Sequence, residues 1–217
     1  MLISILSLIK SIIFNFRFLP LQEALKLPFW VRIGTKCSVK GKIQLEEEAR
    51  MRFAIKIGGT GSAHISPNKL TYFFVGKDAK VIFKGKASIG LGSSVRVDRE
   101  GVLSVGPNFS TNRNCNISCS HNMVFEDDVL FGWNIQVRDT DGHQVYISEK
   151  PSERCKKVIL HEHVWVGSFS DILKGAEIGK GSVVAWRSCV LSKFQNENVL
   201  LGGYPAKILR TDVSWEK

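Results

Sequence analysis

Residues 160–190 repeat with a strict period of six. An aliphatic side chain opens every hexad, and a small or medium side chain stands four places further on. The first set is Leu160, Val166, Ile172, Ile178, Val184 and Val190, and the second is Val164, Ser170, Ala176, Ser182 and Ser188. Neither an amphipathic helix nor an alternating strand has this period. A fixed short repeat indicates a solenoid, in which each coil buries its apolar side chains by stacking on the next coil.

Three such hexads per turn predict a triangular prism whose three faces are parallel β-sheets, with the aliphatic residues pointing into the prism. The six-residue period is also strict from Cys119 to Val137, and it is looser from Tyr72 onward. The pattern therefore predicts an all-β chain in which residues 31–200 form a parallel β-helix.

The repeat is interrupted once, by the polar segment 138–157, which contains Pro151. An irregular segment inside the prism would leave backbone polar groups unpaired, so we expect this one to project outward as a loop. Long loops on a rigid scaffold often carry function.

The two ends of the chain lack the repeat. Residues 1–30 predict an amphipathic helix and a linker, with Ser4, Ser7, Ser11 and Asn15 on a narrow polar stripe and Leu2, Ile5, Ile9, Ile12, Ile13 and Phe16 on a broad apolar face. Lys10 and Arg17 interrupt the segment, which is too short for a membrane span, and the pattern of a secretory signal is absent. Two interpretations stay open: the helix packs on its own protein or a neighbouring subunit, or it lies in a membrane surface. Residues 201–217 predict a tail with a short helix at 206–210.

Composition narrows the partners and the compartment. The net charge of +10 favours an anionic partner, but the basic residues are scattered and no nucleic-acid-binding motif is present. Five cysteines, an odd number without paired spacing, fit a reducing compartment. We therefore expect a cytoplasmic protein, at the inner face of the membrane if the first helix binds lipid.

Several segments together resemble the hexapeptide-repeat acyltransferases, and most of all the sugar and polysaccharide O-acetyltransferases of the maltose/galactoside acetyltransferase type. These segments are 125–143 (FEDDVLFGWNIQVRDTDGH), 164–167 (VWVG), 172–179 (ILKGAEIG) and 201–210 (LGGYPAKILR). The resemblance covers residues 72–210. It implies a left-handed β-helix, which is an exception to the usual crossover rule, a homotrimer with sites between subunits, and acetyl-CoA as donor. The family's glycine-rich penultimate turn is replaced here by residues 184–188 (VAWRS).

The resemblance also implies catalytic residues. By its position in the motif, His143 would take the proton of the acceptor hydroxyl, because imidazole titrates in the right range. Asp139 and Asp141 flank it, and one of them could fix the orientation of the ring. The competing interpretation is a solvated loop histidine.

Further residues are expected to hold the two substrates. Asn114 stands where the family places a substrate-contacting asparagine, and we expect Trp133 and Asn134 to contact the acceptor with it. For acetyl-CoA we expect the small Gly167 and Ala185 to let its arm lie against the backbone, and Lys193, Lys207 and Arg210 to meet its phosphates. The remaining candidates for contact with acetyl-CoA are Trp165, Ser168, Trp186 and Pro205.

Several alternatives remain open. His161, His163 and Cys155 could suggest zinc, but a third histidine with suitable spacing is absent, so no metal is expected. His64 and His121 are expected at the surface or in packing. The sequence thus favours transfer of acetyl from acetyl-CoA to a hydroxyl of a surface or capsular polysaccharide or its precursor. The alternatives are N-acetylation of a nucleotide-linked amino sugar, and a non-catalytic or zinc-dependent β-helix.

Overall fold

The computed structural model describes residues 2–59, 70–98 and 100–217; His64 lies outside them. Helix α1 spans Leu2–Phe18 and the short helix α2 spans Leu21–Ala24, and a 3-10 turn covers Glu48–Arg50. The strands are, in chain order, β1 Phe29–Val31, β2 Lys36–Val39, β3 Lys42–Leu45, β4 Ile55–Gly59, β5 Tyr72–Val75, β6 Lys80–Phe83, β7 Ala87–Gly90, β8 Ser94–Val97, β9 Val102–Val105, β10 Phe109–Thr111, β11 Asn116–Cys119, β12 Asn122–Phe125, β13 Leu130–Phe131, β14 Gln136–Arg138, β15 Tyr146–Ile147, β16 Lys150–Pro151, β17 Val158–Leu160, β18 Trp165–Val166, β19 Asp171–Ile172, β20 Glu177–Ile178, β21 Val183–Val184, β22 Cys189–Val190, β23 Lys193–Phe194, β24 Leu200–Gly203 and β25 Ala206–Arg210.

The strands form the three parallel faces of a β-helix. Face A has the order β1-β4-β7-β10-β13-β18-β21-β24, face B has β2-β5-β8-β11-β14-β19-β22, and face C has β3-β6-β9-β12-β17-β20-β23. The chain therefore visits A, B and C in turn, and each circuit stacks on the last. The predicted all-β triangular prism is confirmed, and it begins already at Phe29.

The hexad explains the interior. All six aliphatic residues from Leu160 to Val190 are fully buried, as are the small residues four places on. The serines among the small residues have a second role, because their hydroxyls accept backbone N–H groups from neighbouring coils: Ser170 from Ser188, and Ser182 from Val199. A small polar residue at this place thus fills little space and satisfies a buried donor.

The corners of the prism require a tight backbone. We name each corner by the faces it joins. Corner AB stacks residues with left-handed φ at Gly92, Asn114, Asn134, Phe169 and Arg187, and corner CA does so at Asn108, Asp128, His163, Gly181 and Asn198. Glycine, asparagine and aspartate tolerate this conformation best, whereas Phe169, His163 and Arg187 adopt it despite the steric cost.

Helix α1 covers the first coil with its polar stripe. Ser7, Ser11 and Asn15 are fully buried, whereas Leu2, Ile5, Ile9, Ile12, Ile13 and Phe16 are 40–69% exposed. The amphipathic helix is confirmed, but its polar side faces the protein. The helix thus packs on its own protein, as one of the two interpretations holds, but through its polar stripe, and its apolar face stays exposed.

The polar stripe supplies the hydrogen bonds of a missing strand. The free side of β1 presents Phe29, Val31 and then Ile33. The N–H of Phe29 donates to Asn15 Oδ1 (3.1 Å) and its carbonyl accepts from Asn15 Nδ2 (2.8 Å). The N–H of Val31 donates to Ser11 Oγ at 2.8 Å, and that of Ile33 to Ser7 Oγ at 3.0 Å. Four helical residues rise about 6.0 Å and two strand residues about 6.6 Å, so a stripe with period four can follow alternate residues of a strand.

The predicted short C-terminal helix is wrong. Residues Ala206–Arg210 form β25, which pairs antiparallel with β24. The chain reverses at Gly203, with φ +105°, and the following residues continue the hydrogen bonding of face A instead of closing a helical turn.

The chain after β25 runs back along corner CA. The N–H of Val213 donates to the Asn198 carbonyl at 2.8 Å. Trp215 stacks on His163 with ring centroids 4.1 Å apart, and the Lys217 ammonium reaches Asp128 at 2.6 Å. This segment therefore ties together coils that lie far apart in the sequence.

The interruption of the repeat projects from corner BC. Residues 141–150 are all exposed, and β15 and β16 form a small antiparallel hairpin within them. Backbone bonds close the base of the loop, from the Lys156 N–H to the Asp139 carbonyl and from the Asp141 N–H to the Arg154 carbonyl. The predicted projecting loop is confirmed. Among the described helices, none has the length and apolar character needed to cross a membrane.

Candidate active site

His143 lies on the exposed part of the projecting loop, directly after Gly142, whose φ is +80°. Within the described part of the chain, its ring makes no hydrogen bond or ion pair, so both ring nitrogens remain available to a ligand. This geometry is compatible with proton transfer to or from a bound molecule.

Asp139 has a structural role at the base of the loop. Its side chain is buried, and its two oxygens accept the backbone N–H groups of Ser120, His121 and Asn122, each at 2.8 Å. The Cys119 thiol also approaches it at 3.5 Å. The carboxylate thus satisfies the corner of the preceding coil, and of the two aspartates of which one could orient His143, Asp139 is engaged by the backbone instead.

Asp141 is paired with a lysine of a later coil. Its carboxylate lies 2.5 Å from Lys174 Nζ, which also donates to the Glu153 carbonyl at 2.6 Å. Lys174 therefore clamps both sides of the loop base. Among the described contacts, neither Asp139 nor Asp141 touches His143.

The two histidines after the loop are both engaged by the protein. His161 lies between Glu126 (3.1 Å) and Glu177 (3.3 Å). His163 contacts Asp128 through Nδ1 (2.7 Å) and the Trp215 carbonyl through Nε2 (3.0 Å). Cys155, like the other four cysteines, is a free thiol, and the described residues contain no cluster of three or more side chains arranged to hold a metal ion.

The pKa values of a buried thiol and a buried carboxylate are shifted in opposite directions, upward for the thiol and downward for the carboxylate. Burial raises the pKa of Cys115 to about 12. By contrast, the pKa of Glu177 falls to about 2, chiefly because Gln195 donates to the carboxylate, with further donation from Lys193 and His161. Glu177 is therefore a fixed negative charge on face C, and the buried Cys115 thiol is inert.

The expected acceptor residues lie at corner AB, one face away from the loop. Asn114 is buried, and Trp133 and Asn134 are half-buried on the next coil. Strand β14 leads from Asn134 to the loop at Asp139. Five residues of strand span roughly 16 Å, so the base of the loop is far from corner AB in one protomer.

Corner AB also carries an exposed aromatic and basic column on the C-terminal coils. Trp186 is 56% exposed and packs against Phe169, with ring centroids 4.9 Å apart. The Arg187 guanidinium lies 5.7 Å from the Phe169 ring centre. Flat aromatic surfaces beside a cation suit a ligand that has a planar ring and an anionic group. The sequence placed Trp186 here, whereas Phe169 was missed because its place in the hexad is ordinary.

Three of the residues expected to contact acetyl-CoA have clear packing roles. A side chain on Gly167 would meet the Val184 carbonyl at 2.5 Å, so its small size is required by coil stacking. The hydroxyl of Ser168, a buried residue, accepts the Trp133 N–H at 2.9 Å. The Ala185 carbonyl accepts from the Ser170 hydroxyl at 3.0 Å. Coil stacking thus accounts for the small size of Gly167, and contact of Gly167 and Ala185 with the arm of acetyl-CoA stays a prediction.

The other expected contacts are exposed but dispersed. Trp165 lies on face A near Trp215, with ring centroids 5.8 Å apart. Lys193 lies on face C and pairs with Glu177 at 3.1 Å. Pro205, Lys207 and Arg210 are exposed in and beside β25. The structure therefore does not gather these residues around one surface of a protomer. His121 is exposed at corner BC, as expected.

Comparison with known proteins supports the resemblance. A polysialic acid O-acetyltransferase of Escherichia coli O1:K1 is 29% identical over 148 residues, which are 67% of this chain and 45% of that protein. A galactoside O-acetyltransferase of Lactococcus lactis subsp. lactis is 33% identical over 104 residues, or 43% of this chain and 49% of that protein. The chain is therefore similar in sequence to curated O-acetyltransferases.

The hexapeptide-repeat fold extends beyond the region of sequence similarity. The crystallographic structure of the polysialic acid O-acetyltransferase OatWY superposes with a TM-score of 0.54 at 18% identity, over 87% of this chain and 90% of that one. The fold is therefore a left-handed parallel β-helix. No protein-family model matches the chain, and the chain spans about half the length of the curated relatives it matches.

Proposed function

We propose that the protein transfers acetyl from acetyl-CoA to a hydroxyl group of a sugar in a surface or capsular polysaccharide or its precursor. The observation that carries the proposal is the free imidazole of His143 on a loop that interrupts a hexapeptide-repeat scaffold shared with O-acetyltransferases. His161 and His163, by contrast, are occupied by the protein.

The proposed chemistry uses His143 as general base. Its ring nitrogen would accept the proton of the acceptor hydroxyl while the oxygen attacks the carbonyl carbon of the thioester. Acetyl-CoA supplies the activated acetyl group, and its sulfur leaves and takes up a proton. Because Asp139 and Asp141 are engaged elsewhere, ligand or partner groups would orient the ring.

The column of Phe169, Trp186 and Arg187 supports donor binding on the C-terminal coils. Its exposed rings and its cation fit a purine and a phosphate. Trp165, Lys207 and Arg210 remain proposed contacts on face A, and Lys193 remains one on face C. The buried Gly167 and Ser168 and the half-buried Ala185 would then act by shaping the coil.

The test is acetyl transfer by a His143→Ala variant. We expect a loss of about 10²- to 10⁴-fold in kcat, because the hydroxyl loses its base. His121→Ala is the matched control, since it removes an exposed imidazole at the same corner, and its turnover should not change. The acceptors should include plain sugars and amino sugars on nucleotide carriers. Unchanged turnover in His143→Ala, or transfer to amines alone, would contradict the proposal.

We also propose that the active site forms between protomers of a homotrimer. The support is the separation of roughly 16 Å between the loop base and corner AB, which a neighbouring protomer could close. His143 of one protomer would then meet Asn114, Trp133 and Asn134 of the next.

The outer face of α1 supports a further proposal, that of contact with the inner surface of the cytoplasmic membrane. Only Ser7, Ser11, Phe14 and Asn15 of this helix are buried, so the apolar face is broad, whereas a helix pair needs only a narrow seam. Lys10 and Arg17 flank the face, and the chain carries a net charge of +10. A bilayer containing anionic lipids matches both properties.

A further inference from the structure

A cleft lies on the outer surface of face A, towards the N-terminal coils. It has a volume of about 660 Å³, and its walls are residues 51–54 on one side and Asn108, Asp128 and Lys217 on the other. The projecting loop and the column at corner AB contribute nothing to it. The cleft is therefore distinct from the candidate active site.

The floor of this cleft is an ordered row of polar side chains. Lys56 of β4 is in register with Ser88 of β7, and Ser88 is in register with Ser110 of β10. Adjacent parallel strands lie about 4.8 Å apart, so the row presents one cation and two hydroxyls at regular intervals. A regular floor suits an extended ligand better than a compact one.

The charges in this cleft are largely uncompensated. Within the described residues, Arg52, Lys56 and Lys86 make no ion pair. The single carboxylate in the lining is Asp128, and its oxygens are already taken by Lys217 (2.6 Å) and His163 (2.7 Å). Three cations that share one concave surface repel one another, and an anionic ligand would relieve that repulsion.

A basic cleft at corner BC, on the side of the prism opposite face A, differs in this respect. It contains Lys156, Lys174 and Lys193, but each of them is paired, with Glu153, Asp141 and Glu177 respectively. Those lysines serve the loop and face C. A fourth lysine there, Lys157, makes no ion pair among the described residues, so that cleft has one unpaired cation against three in the cleft on face A.

The wall of the cleft adds an apolar surface. Met51 is 48% exposed, and Phe53, with φ +55°, holds its half-buried ring beside the Arg52 guanidinium, 5.0 Å from the ring centre. Sugar rings present C–H faces that pack on such surfaces, while their hydroxyls bond to serine and lysine side chains. The combination of cations, hydroxyls and one apolar wall matches an acidic carbohydrate.

We propose that this cleft binds a segment of an acidic polysaccharide whose sugar residues carry carboxylates. Its role as a holding site for the acceptor, away from the transfer chemistry, rests on the proposed acetyltransferase function, whereas the binding itself does not. Arg52, Lys56 and Lys86 meet carboxylates, Ser88 and Ser110 meet hydroxyls, and the side chains of Met51 and Phe53 contact ring faces.

The lining of the cleft argues against two other anionic ligands. A single phosphate is usually held by several donors that converge on one point. Single-stranded nucleic acid usually stacks successive bases on several aromatic rings, and the lining of this cleft offers Phe53 alone as an accessible ring.

The experiment is calorimetric titration with oligomers of galacturonic acid and of sialic acid. Maltooligosaccharides of equal length serve as the neutral comparison. We expect binding of at least one acidic oligomer, weakened by rising salt, and no binding of the neutral one. Lys56→Gln combined with Lys86→Gln should weaken binding roughly tenfold, because two exposed charge contacts are lost. Lys42→Gln combined with Lys80→Gln removes the same charge from face C and should leave the affinity unchanged.

The outcomes separate this proposal from the proposed function. Equal binding by both double variants would overturn it, provided that their thermal unfolding matches that of the unchanged protein. Polyphosphate or single-stranded DNA that binds as tightly, and is lost in the same variant, would overturn the assignment to a carbohydrate. His143→Ala should keep full affinity for the acidic oligomer, because the loop contributes nothing to the cleft. If the unchanged protein bound the acidic oligomer but transferred acetyl to none of the sugars, only the proposed function would be refuted.

Discussion

Glu177 shows how a single carboxylate can carry stability that depends on pH. It is 8% exposed and accepts hydrogen bonds from Gln195 and Lys193, each at 3.1 Å. These donors, with His161, hold its pKa at about 2, against an ordinary value of 4.5. A lowered pKa in the folded state means that this stability is present above about pH 4.5 and is lost as the pH falls towards 2.

Glu177→Gln should therefore lower the free energy of unfolding by about 1–3 kcal/mol at pH 7. The deficit should shrink between pH 5 and pH 3, because the unchanged protein loses its advantage there. Urea unfolding across this pH range measures both effects. Glu162→Gln, on an exposed carboxylate, is the control; a deficit that stays constant down to pH 3 would contradict the argument.

For single residues, the sequence predicted the burial that follows from the six-residue period, but it missed the contacts that depend on which residues of different coils lie side by side. The hexad identified the buried aliphatic residues from Leu160 to Val190 correctly, because their burial follows from coil geometry alone. The same geometry could not reveal that Asp139 would meet the N–H groups of the preceding corner. Nor could it show that Ser168 would accept from Trp133, 35 residues earlier in the chain.

Helix α1 illustrates the same limit at the scale of an element. The sequence predicted the helix and its two faces, but it did not indicate which face points inward. A polar stripe normally faces water, and here it faces β1, since the strand's free N–H and carbonyl groups need partners more than the apolar side chains need burial.

Two sets of substitutions should therefore act opposite to ordinary expectation. Asn15→Leu makes the helix more apolar, yet it should lower the free energy of unfolding by about 2–4 kcal/mol, because the Phe29 N–H and carbonyl lose their partners. The combination of Ile5→Ser, Ile9→Ser and Ile13→Ser should leave thermal stability almost unchanged and reduce sedimentation with vesicles that contain anionic lipid.

The variant that combines Ile5→Ser, Ile9→Ser and Ile13→Ser tests the proposed membrane contact. Neutral vesicles and the parent protein provide the comparisons, and the hydrogen bonds to β1 remain intact. Undiminished sedimentation would reject the membrane contact. A change in oligomer mass without a change in sedimentation would show that the apolar face belongs to a protein interface.

The projecting loop and the tail are two further elements whose structure can be compared with the prediction. The break in the repeat located the loop, since an interruption cannot stay inside a narrow prism. The helix predicted at 206–210 is wrong, because this segment pairs with β24 as strand β25. Short segments of this kind are decided by the neighbour with which they pair.

The whole molecule is a scaffold that separates its candidate groups by one face. The sequence, through its resemblance, predicted a shared site, and the separation within the described protomer is the distance that the proposed sharing between protomers would close. It could not locate the cleft on face A, since Arg52, Lys56 and Lys86 belong to segments that only coil stacking brings together.

Mixing two inactive variants tests the shared site. His143→Ala and Trp133→Ala should each be impaired, and trimers refolded or coexpressed from equal amounts of both should regain up to about a quarter of the activity, since random assembly leaves that share of sites intact. Activity at the level of the unmixed variants would contradict a site built from two protomers. Light scattering establishes the oligomer mass in the same samples.

The side-chain bonds from α1 to β1 also bear on how the protein behaves in a crowded solution. A parallel coil with unsatisfied groups at its end is a template on which another chain could add strands, and so join solenoids into filaments. Ser7, Ser11 and Asn15 occupy those groups without offering a new strand in their place. The first helix thereby acts as a terminator that keeps the growth of the β-structure within one chain.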